Sequence, residues 1–353
     1  MEIKIIDKKT EYPGIDLFRV IAVILVVMNH TYPLAGINET ADFVLARIIA
    51  RVAVPFFFMV SGYFILPSII GENKDYTTVI RNVKKLVKLY IIATLIYLPI
   101  GIYSGNIGVN IGVVGALKEL LFNGTFYHLW YLPGAIIGIL IVSMLLKRFN
   151  QKQVFMISLG LYIVGLFGDS YYKIAESIPV IKELYNLIFN FFDYTRNGIF
   201  FSPLFFILGA IIANDKRKPK KKIMMYGFII TLSLMIVEGL ILNKFQIQRH
   251  SSMYILLLPV MYFLFQWILL WKNRSFKILR NISMIVYIIH PLVIILIRGF
   301  AKVLKLQDIL VSNNLIHFVA VLFGSFVLAF IIDYILGKIT KKRSVNSSIR
   351  RHI

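Results

Sequence analysis

A chain of 353 residues that is 58% hydrophobic and only 16% charged, with a mean hydropathy of +0.78, falls among polytopic membrane proteins and leaves no room for a sizeable soluble domain. The net charge of +22 invites a nucleic-acid partner, but the basic residues sit in alternate short loops, so topology accounts for them and no nucleic-acid role is expected. The absence of cysteine excludes disulfides, thiolate-ligated metal and a thioester on the protein.

About ten stretches carry the roughly twenty apolar residues that a bilayer crossing needs: 14–34, 43–66, 86–103, 128–146, 153–168, 197–213, 223–242, 253–271, 282–301 and 315–337. The predicted class is therefore an all-α polytopic bundle over 14–337, within one domain spanning 1–353. Residues 1–13, with Lys4, Lys8 and Lys9, lack a cleavable signal pattern, so the first span is expected to direct its own insertion. Basic residues concentrate in 74–88, 147–152, 216–222 (KRKPKKK), 272–280 and the tail 338–353, whereas 31–42 holds only the acidic Glu39 and Asp42. This alternation predicts an even number of spans and both termini in the cytoplasm. No repeat of 20–50 residues is present.

Between the spans, residues 110–123 have helical apolar spacing but are too short to cross, and read as an interfacial or re-entrant helix. Residues 169–190 form an external stretch suited to capping an outward pocket. Pro55, Pro133 and Pro259 fall inside apolar stretches, where they are expected to kink helices.

Polar residues at membrane depth carry the functional signal, since each ionisable group there costs on the order of 2.5–3.5 kcal/mol. Arg19 and His30 share the first span, about 16 Å apart along the axis and near one face. Asp16 lies beside Arg19 at the inner end. Arg47 and Arg51 are expected one turn apart on a shared face of the second span. His128 opens the fourth span, Arg196 enters the sixth from outside, Glu238 is in the outer part of the seventh, and His290 is near the middle of the ninth. Together these make an outer pocket rich in cations with one carboxylate, suited to an anionic or zwitterionic ligand. Bland readings stand beside it: Glu238 as an ion-pair partner, His128 as an interfacial residue, Arg196 and Arg298 snorkelling to the surface. No HxH or HxxxH pair occurs, so no metal is expected. The glycines of 101–115 lack the Lys-Ser/Thr of a phosphate loop.

These residues resemble acyltransferase family 3 of integral membrane proteins, over nearly the whole chain. IDLFRVIAVILVVMNH matches the family's Arg/Lys-x10-His element through Arg19 and His30. VPFFFMVSGYFI is similar to its FFFxxSGY/F segment, and HLWYL and YIIHPLVI match further segments. The family's basic Arg-x-x-Arg pair is represented by Arg81-x-x-Lys84 and Lys85-x-x-Lys88. The strings INETADF, FGDSYY, DYTRNGIFFSPLFFILGA, VEGLIL and QRHSSMY are similar to the membrane domain of serine racemases from vancomycin-resistance clusters. In those proteins that part is associated with L-serine uptake and precedes a soluble racemase domain. None is expected to follow here, since the sequence closes at Arg350-Arg351-His352-Ile353.

The resemblance implies a multi-pass protein of a bacterial plasma membrane and two alternative functions. In the first, an acyl group, in the simplest case acetyl from acetyl-CoA, passes to a hydroxyl of an envelope saccharide. His30 acts as general base or transient acyl carrier with Arg19, and Arg81, Lys84, Lys85 and Lys88 meet the donor's phosphates. Asp16, Arg47, Arg51, His128, Arg196, Glu238 and His290 then line the acceptor site. In the second, the outer pocket transports L-serine or a related amino acid, with Arg51 or Arg196 on the carboxylate, Glu238 on the ammonium and His30 or His290 coupling a proton.

Overall fold

A computed structural model describes residues 11–71, 74–103, 112–272 and 277–349; Lys4, Lys8, Lys9 and the closing Arg350–Ile353, which bear on the expected topology, lie outside them. The described residues contain helices and no strands. The first helix, α1 (Pro13–Thr31), places a proline where the missing N–H has no partner to lose, and ends at Tyr32 in the left-handed region, its N–H on the Met28 carbonyl. A short α2 (Glu39–Asp42), capped by the Asn38 side chain, runs without a break into α3 (Ala53–Ile65). Between them lie a widened π-type stretch, Phe43–Ile48, and a tight 3-10 turn, Ile49–Val52. The expected regular helix around Arg47 and Arg51 is therefore corrected. The chain is first over-wide, then over-tight, and the Arg51 Nε donates to the Arg47 carbonyl at 3.2 Å.

Next come α4 (Thr77–Tyr103), a small α5 (Val113–Lys118) prolonged by a wide turn to Asn123, and α6 (Tyr131–Arg148). Then follow α7 (Gln151–Phe167), α8 (Tyr172–Glu176), α9 (Pro179–Phe191), α10 (Ser202–Asn214) and α11 (Lys221–Lys244). The last are α12 (Leu257–Leu269), α13 (Lys277–Val303), α14 (Gln307–Leu310) and α15 (Asn314–Ile349). Since α4 begins at Thr77, Arg81, Lys84, Lys85 and Lys88 are exposed on its first turns rather than in a loop.

Among the described residues, seven helical stretches are long and apolar enough to cross a membrane: Pro13–Thr31, Glu39–Ile69, Thr77–Tyr103, Tyr131–Arg148, Lys221–Lys244, Ile278–Val303 and Asn314–Lys338. The three other predicted stretches form α7, α10 and α12, of 17, 13 and 13 residues. At 1.5 Å per residue these reach about 20–25 Å, short of a ~30 Å hydrocarbon core. α10 is apolar and buried around its circumference, from Ser202 to Ala210 without interruption, as befits a helix at the centre of a bundle. The irregular backbone that leads into it, 195–201, is largely buried, sheltered by protein rather than lipid.

The tightest packing joins α3 to α10. A Cβ added at Gly62 would stand 2.0 Å from the Phe206 carbonyl oxygen, and one at Gly209 would stand 2.2 Å from that of Met59. Two glycines facing each other's helix let the backbones touch, the usual membrane substitute for a hydrophobic driving force. The predicted kinks are corrected as well. Pro133 and Pro259 each fall at the third position of a helix, α6 and α12, where the first-turn N–H groups lack intrahelical partners anyway, whereas Pro55 lies within the continuous stretch Glu39–Ile69, just after its 3-10 turn. The interior prolines are Pro99 in α4 and Pro291 in α13.

Candidate functional site

Pro291 organises the site. Lacking an N–H, it leaves the Tyr287 carbonyl without its helical donor and forces the turn open. His290 Nδ1 sits 2.9 Å from that carbonyl and 3.2 Å from Val286 O. One residue on, the Ile288 carbonyl receives the Tyr97 hydroxyl of α4 at 2.6 Å and faces His128 Nε2 at 3.2 Å. Leu292 N turns instead to the Tyr97 oxygen at 3.2 Å. The Tyr287 hydroxyl returns to the His128 carbonyl at 2.6 Å. Because a carbonyl can only accept, the facing nitrogens, Nδ1 of His290 and Nε2 of His128, carry the protons. Their other nitrogens, His290 Nε2 and His128 Nδ1, are buried without a partner.

His30, near the end of α1, completes the cluster. Its ring stacks on His290 with centroids 5.3 Å apart, and His290 meets His128 edge-on at 5.3 Å. Tyr127 borders His30 at 5.0 Å. His30 and His128 open onto a cavity of about 50 Å³ that is also lined by Asn29, Arg51, Tyr131 and Arg196. The Arg196 guanidinium lies between the rings of Trp130 and Tyr194, at 5.1 and 4.6 Å. With Arg51 tied through Nε to its own helix, its terminal nitrogens remain for the cavity. A space of this size takes a few waters or the reacting groups of a larger molecule. It joins the imidazoles of His30 and His128 to two guanidinium groups, which is the equipment for removing a proton and holding the negative charge that results.

Of the residues expected from the sequence, His30, His128, His290, Arg51 and Arg196 are thus brought together. Arg47 stands beside them, its guanidinium 4.8 Å from the Tyr32 ring. Asp16 and Arg19 are at the other end of α1, where the buried Asp16 carboxylate meets Arg19 at 3.5 Å and Arg280 at 3.4 Å. Glu238 does not line the cavity. Its Oε1 accepts from the Tyr171 hydroxyl at 2.7 Å and Ile255 N at 2.6 Å, and its Oε2 from Leu256 N at 3.0 Å. It caps α12 from a neighbouring helix, so its acceptors are already taken. Among the described residues no group of three or more His, Asp or Glu is arranged to hold a metal.

Sequence reasoning missed Asp169, which is wholly buried in the turn after α7. Its Oδ1 accepts from Ser252 N at 2.7 Å, Met253 N at 3.0 Å and Ser170 Oγ at 2.9 Å. Its Oδ2 has no partner, although Arg196 and Arg51 act on it through charge. Burial raises its carboxyl above the ordinary range, against the pull of the amide donors. Nothing in the string FGDS separates it from an ordinary turn aspartate. Asn29, by contrast, was available as a second polar residue beside His30 at membrane depth.

Fold and cavity together define a polytopic helical membrane protein with an ionisable reaction-sized chamber among its helices. Residues 12–334 match acyltransferase family 3, described as an acyltransferase domain, and the chain belongs to that family. Two proteins of Enterococcus faecalis named amino-acid racemase are similar to it, at 41% identity over 97% of the chain and 38% over 90%. A serine/alanine racemase of Enterococcus gallinarum is 38% identical over 88%. The alignments cover 48%, 45% and 44% of those proteins, so the chain spans about half the length of the curated relatives it matches. No solved structure matches it.

Proposed function

We propose that the protein is a membrane-bound O-acyltransferase that moves an acyl group, acetyl in the simplest case, from coenzyme A to a hydroxyl of an envelope saccharide or similar acceptor. One observation carries this reading: the histidine of the family's Arg19-x10-His30 element lines a cavity shared with His128, whose Nδ1 has no partner, and the guanidinium groups of Arg51 and Arg196. The donor supplies a thioester carbonyl. His30 takes the proton of the acceptor hydroxyl, the new C–O bond forms as the C–S bond breaks, and the proton passes to the departing sulfur. Arg51 and Arg196 hold the charge that gathers on the carbonyl oxygen. His290, stacked on His30, fixes the plane of the base.

The exposed cations Arg81, Lys84, Lys85 and Lys88 on the first turns of α4 suit the donor's phosphates. Lys84 and Lys88 share an exposed face of α4 with Val87, Ile91 and Ile92, so charged and apolar parts of such a donor both find a surface. Lys88 is nine residues before Tyr97, about 13 Å along the axis, and Tyr97 reaches the turn that holds His290 and His128. This arrangement goes with ten crossings, α7, α10 and α12 included, both termini in the cytoplasm and residence in a bacterial plasma membrane. The test is acyl transfer in cells carrying only His30→Ala, with insertion and expression verified. Transfer at the wild-type rate overturns the mechanism.

The names of the amino-acid racemase relatives favour a second reading, transport of serine or a related amino acid through the same chamber. Its carboxylate would lie on Arg51 or Arg196. With Glu238 outside the cavity and holding three donors, its ammonium would fall to Asp169, whose Oδ2 has no partner and whose Oδ1 holds the amide of the cavity-lining Ser252. Proteoliposome uptake of labelled serine separates the two functions: uptake that survives His30→Ala but fails in Arg51→Ala supports transport, and counts equal to empty liposomes end it.

A further inference from the structure

Outside the bundle, α9 carries an apolar face that no part of the described chain covers. Val180, Leu184, Leu187 and Phe191 are 81%, 53%, 60% and 67% exposed. Their spacing of four, three and four residues keeps them within one narrow stripe of a helix. The remaining surface divides cleanly. Tyr185 is buried, its hydroxyl on the Val164 carbonyl of α7 at 2.7 Å and its ring edge-on to Tyr172 of α8. Glu183, Asn186 and Asn190 are exposed on the third side. At 13 residues, α9 reaches about 20 Å and cannot cross a bilayer.

We infer that α9 lies in the plane of the membrane surface, with this stripe seated in the lipid of the leaflet on the cavity's side. Three sectors, one on protein, one apolar and one polar, are what a helix at the boundary of protein, lipid and water requires. Lipid is chosen over a protein partner by continuity. Tyr185 ties α9 to the end of α7 at Val164, and Ile163 and Val164 there belong to an exposed apolar surface that also includes Met156. Ile174 and Ile178, leading into α9, are exposed too, so exposed apolar side chains recur from α7 through α8 to the stripe, with Lys173 and Ser177 exposed beside them.

The seat reaches the chamber through few contacts. On the protein side of α9, the Phe189 ring lies 3.5 Å from the Arg249 guanidinium. Arg249 N donates to the Asp169 carbonyl at 3.0 Å, and Asp169 holds the amide of the cavity-lining Ser252. Lipid contact at Leu184 and Leu187 thereby fixes the outer wall of the chamber. The inference holds whichever reaction the chamber performs.

Because the chain has no cysteine, single-cysteine variants of the full-length protein can be spin-labelled without a background. Val180→Cys, Leu184→Cys, Leu187→Cys and Phe191→Cys are compared with Asn186→Cys and Asn190→Cys in phosphatidylglycerol–phosphatidylcholine nanodiscs. Power saturation reads collision with oxygen, which partitions into lipid, against a water-soluble nickel chelate. The expected oxygen-to-nickel ratio is several-fold higher along the stripe than at the two asparagines. A ratio equal at both sets, showing a water-exposed stripe, overturns the inference. So does low accessibility to both reagents, which marks a stripe covered by protein, a second copy included. Bimane at the same positions provides an independent readout: quenching by brominated acyl chains is expected along the stripe, and its absence there overturns the inference equally.

Discussion

Replacing Gly62 by alanine strikes one of the closest backbone contacts among the described residues, at a position the sequence marks only as the glycine of FFFMVSGY. The added methyl carbon would sit 2.0 Å from Phe206 O, 2.8 Å from its carbonyl carbon and 2.9 Å from its Cα. All three are backbone atoms, so no rotamer change relieves the clash, and restoring 3.4 Å requires α3 and α10 to part by about 1.4 Å. The packing of Phe58 against Phe206, with ring centroids 5.3 Å apart, loosens with it. Overpacking of a tight interior costs about 1–3 kcal/mol, and a rigid obstacle puts Gly62→Ala at the upper end. Gly160→Ala is the internal control, because nothing lies within 4 Å of an added Cβ there. It is expected to be neutral or slightly stabilising, by the helix preference of alanine over glycine, about 0.5–1 kcal/mol. Thermal unfolding of purified protein in one detergent, followed by tryptophan emission, should show a lowered midpoint for Gly62→Ala alone. Equal midpoints for the two variants would refute the close-approach argument. Since α3 follows the turn that carries Arg51, and α10 follows the loop that carries Arg196, the separation is also expected to weaken whatever those guanidinium groups hold.

Two further outcomes follow from the surroundings of the cavity. Glu238→Ala removes the acceptor of two backbone amides at the start of α12 and is expected to cost about 0.5–2 kcal/mol, as for a lost helix cap. Glu238→Gln should cost less, and activity per folded molecule should be kept in both; loss of activity at an unchanged melting midpoint would instead return Glu238 to the ligand site. Burial, with help from Arg196 and Arg249, pushes His250 down from 6.5 to about 4. The native loop therefore favours the neutral ring, and its stability should fall as pH drops from about 6.5 towards 4, where an opened loop binds the proton first. Amide protection over 169–177 and 247–256, taken against the intrinsic exchange rate at each pH, should fall between pH 7 and pH 5 in the wild type and change less in His250→Asn; an equal fall in both would exclude the ring as the cause.

Much of the bundle was legible because apolar length is a local property. Seven of the predicted stretches are long apolar helices, and the other three are shorter helices in the predicted places. The boundaries that moved are those decided by neighbours. α4 starts nine residues before its predicted span because the amphipathic run from Thr77 is helical before it is apolar. α10 starts late because Asn197, whose Oδ1 accepts from Ile199 N and Phe200 N, closes a turn in its place. Within the site, His30, His128, His290, Arg51 and Arg196 announced themselves by the cost of charge at membrane depth. Asp169 and Tyr97 did not, since what places them is distant in the chain: the Ser252 amide, 83 residues from Asp169, and the Ile288 carbonyl, 191 residues from Tyr97. The expectation for Glu238 rested on charge alone and took no account of a helix end needing an acceptor.

The break at Pro291 sets how the chamber can move. The carbonyls it releases are held from α4, from the segment before α6 and from α13 itself, so bending α13 there exchanges all of those bonds at once. Helix angle and imidazole orientation are accordingly a single mechanical coordinate. Anything that levers one half of α13 against the other therefore acts on the bonds of both rings, that of His290 through Nδ1 and that of His128 through Nε2.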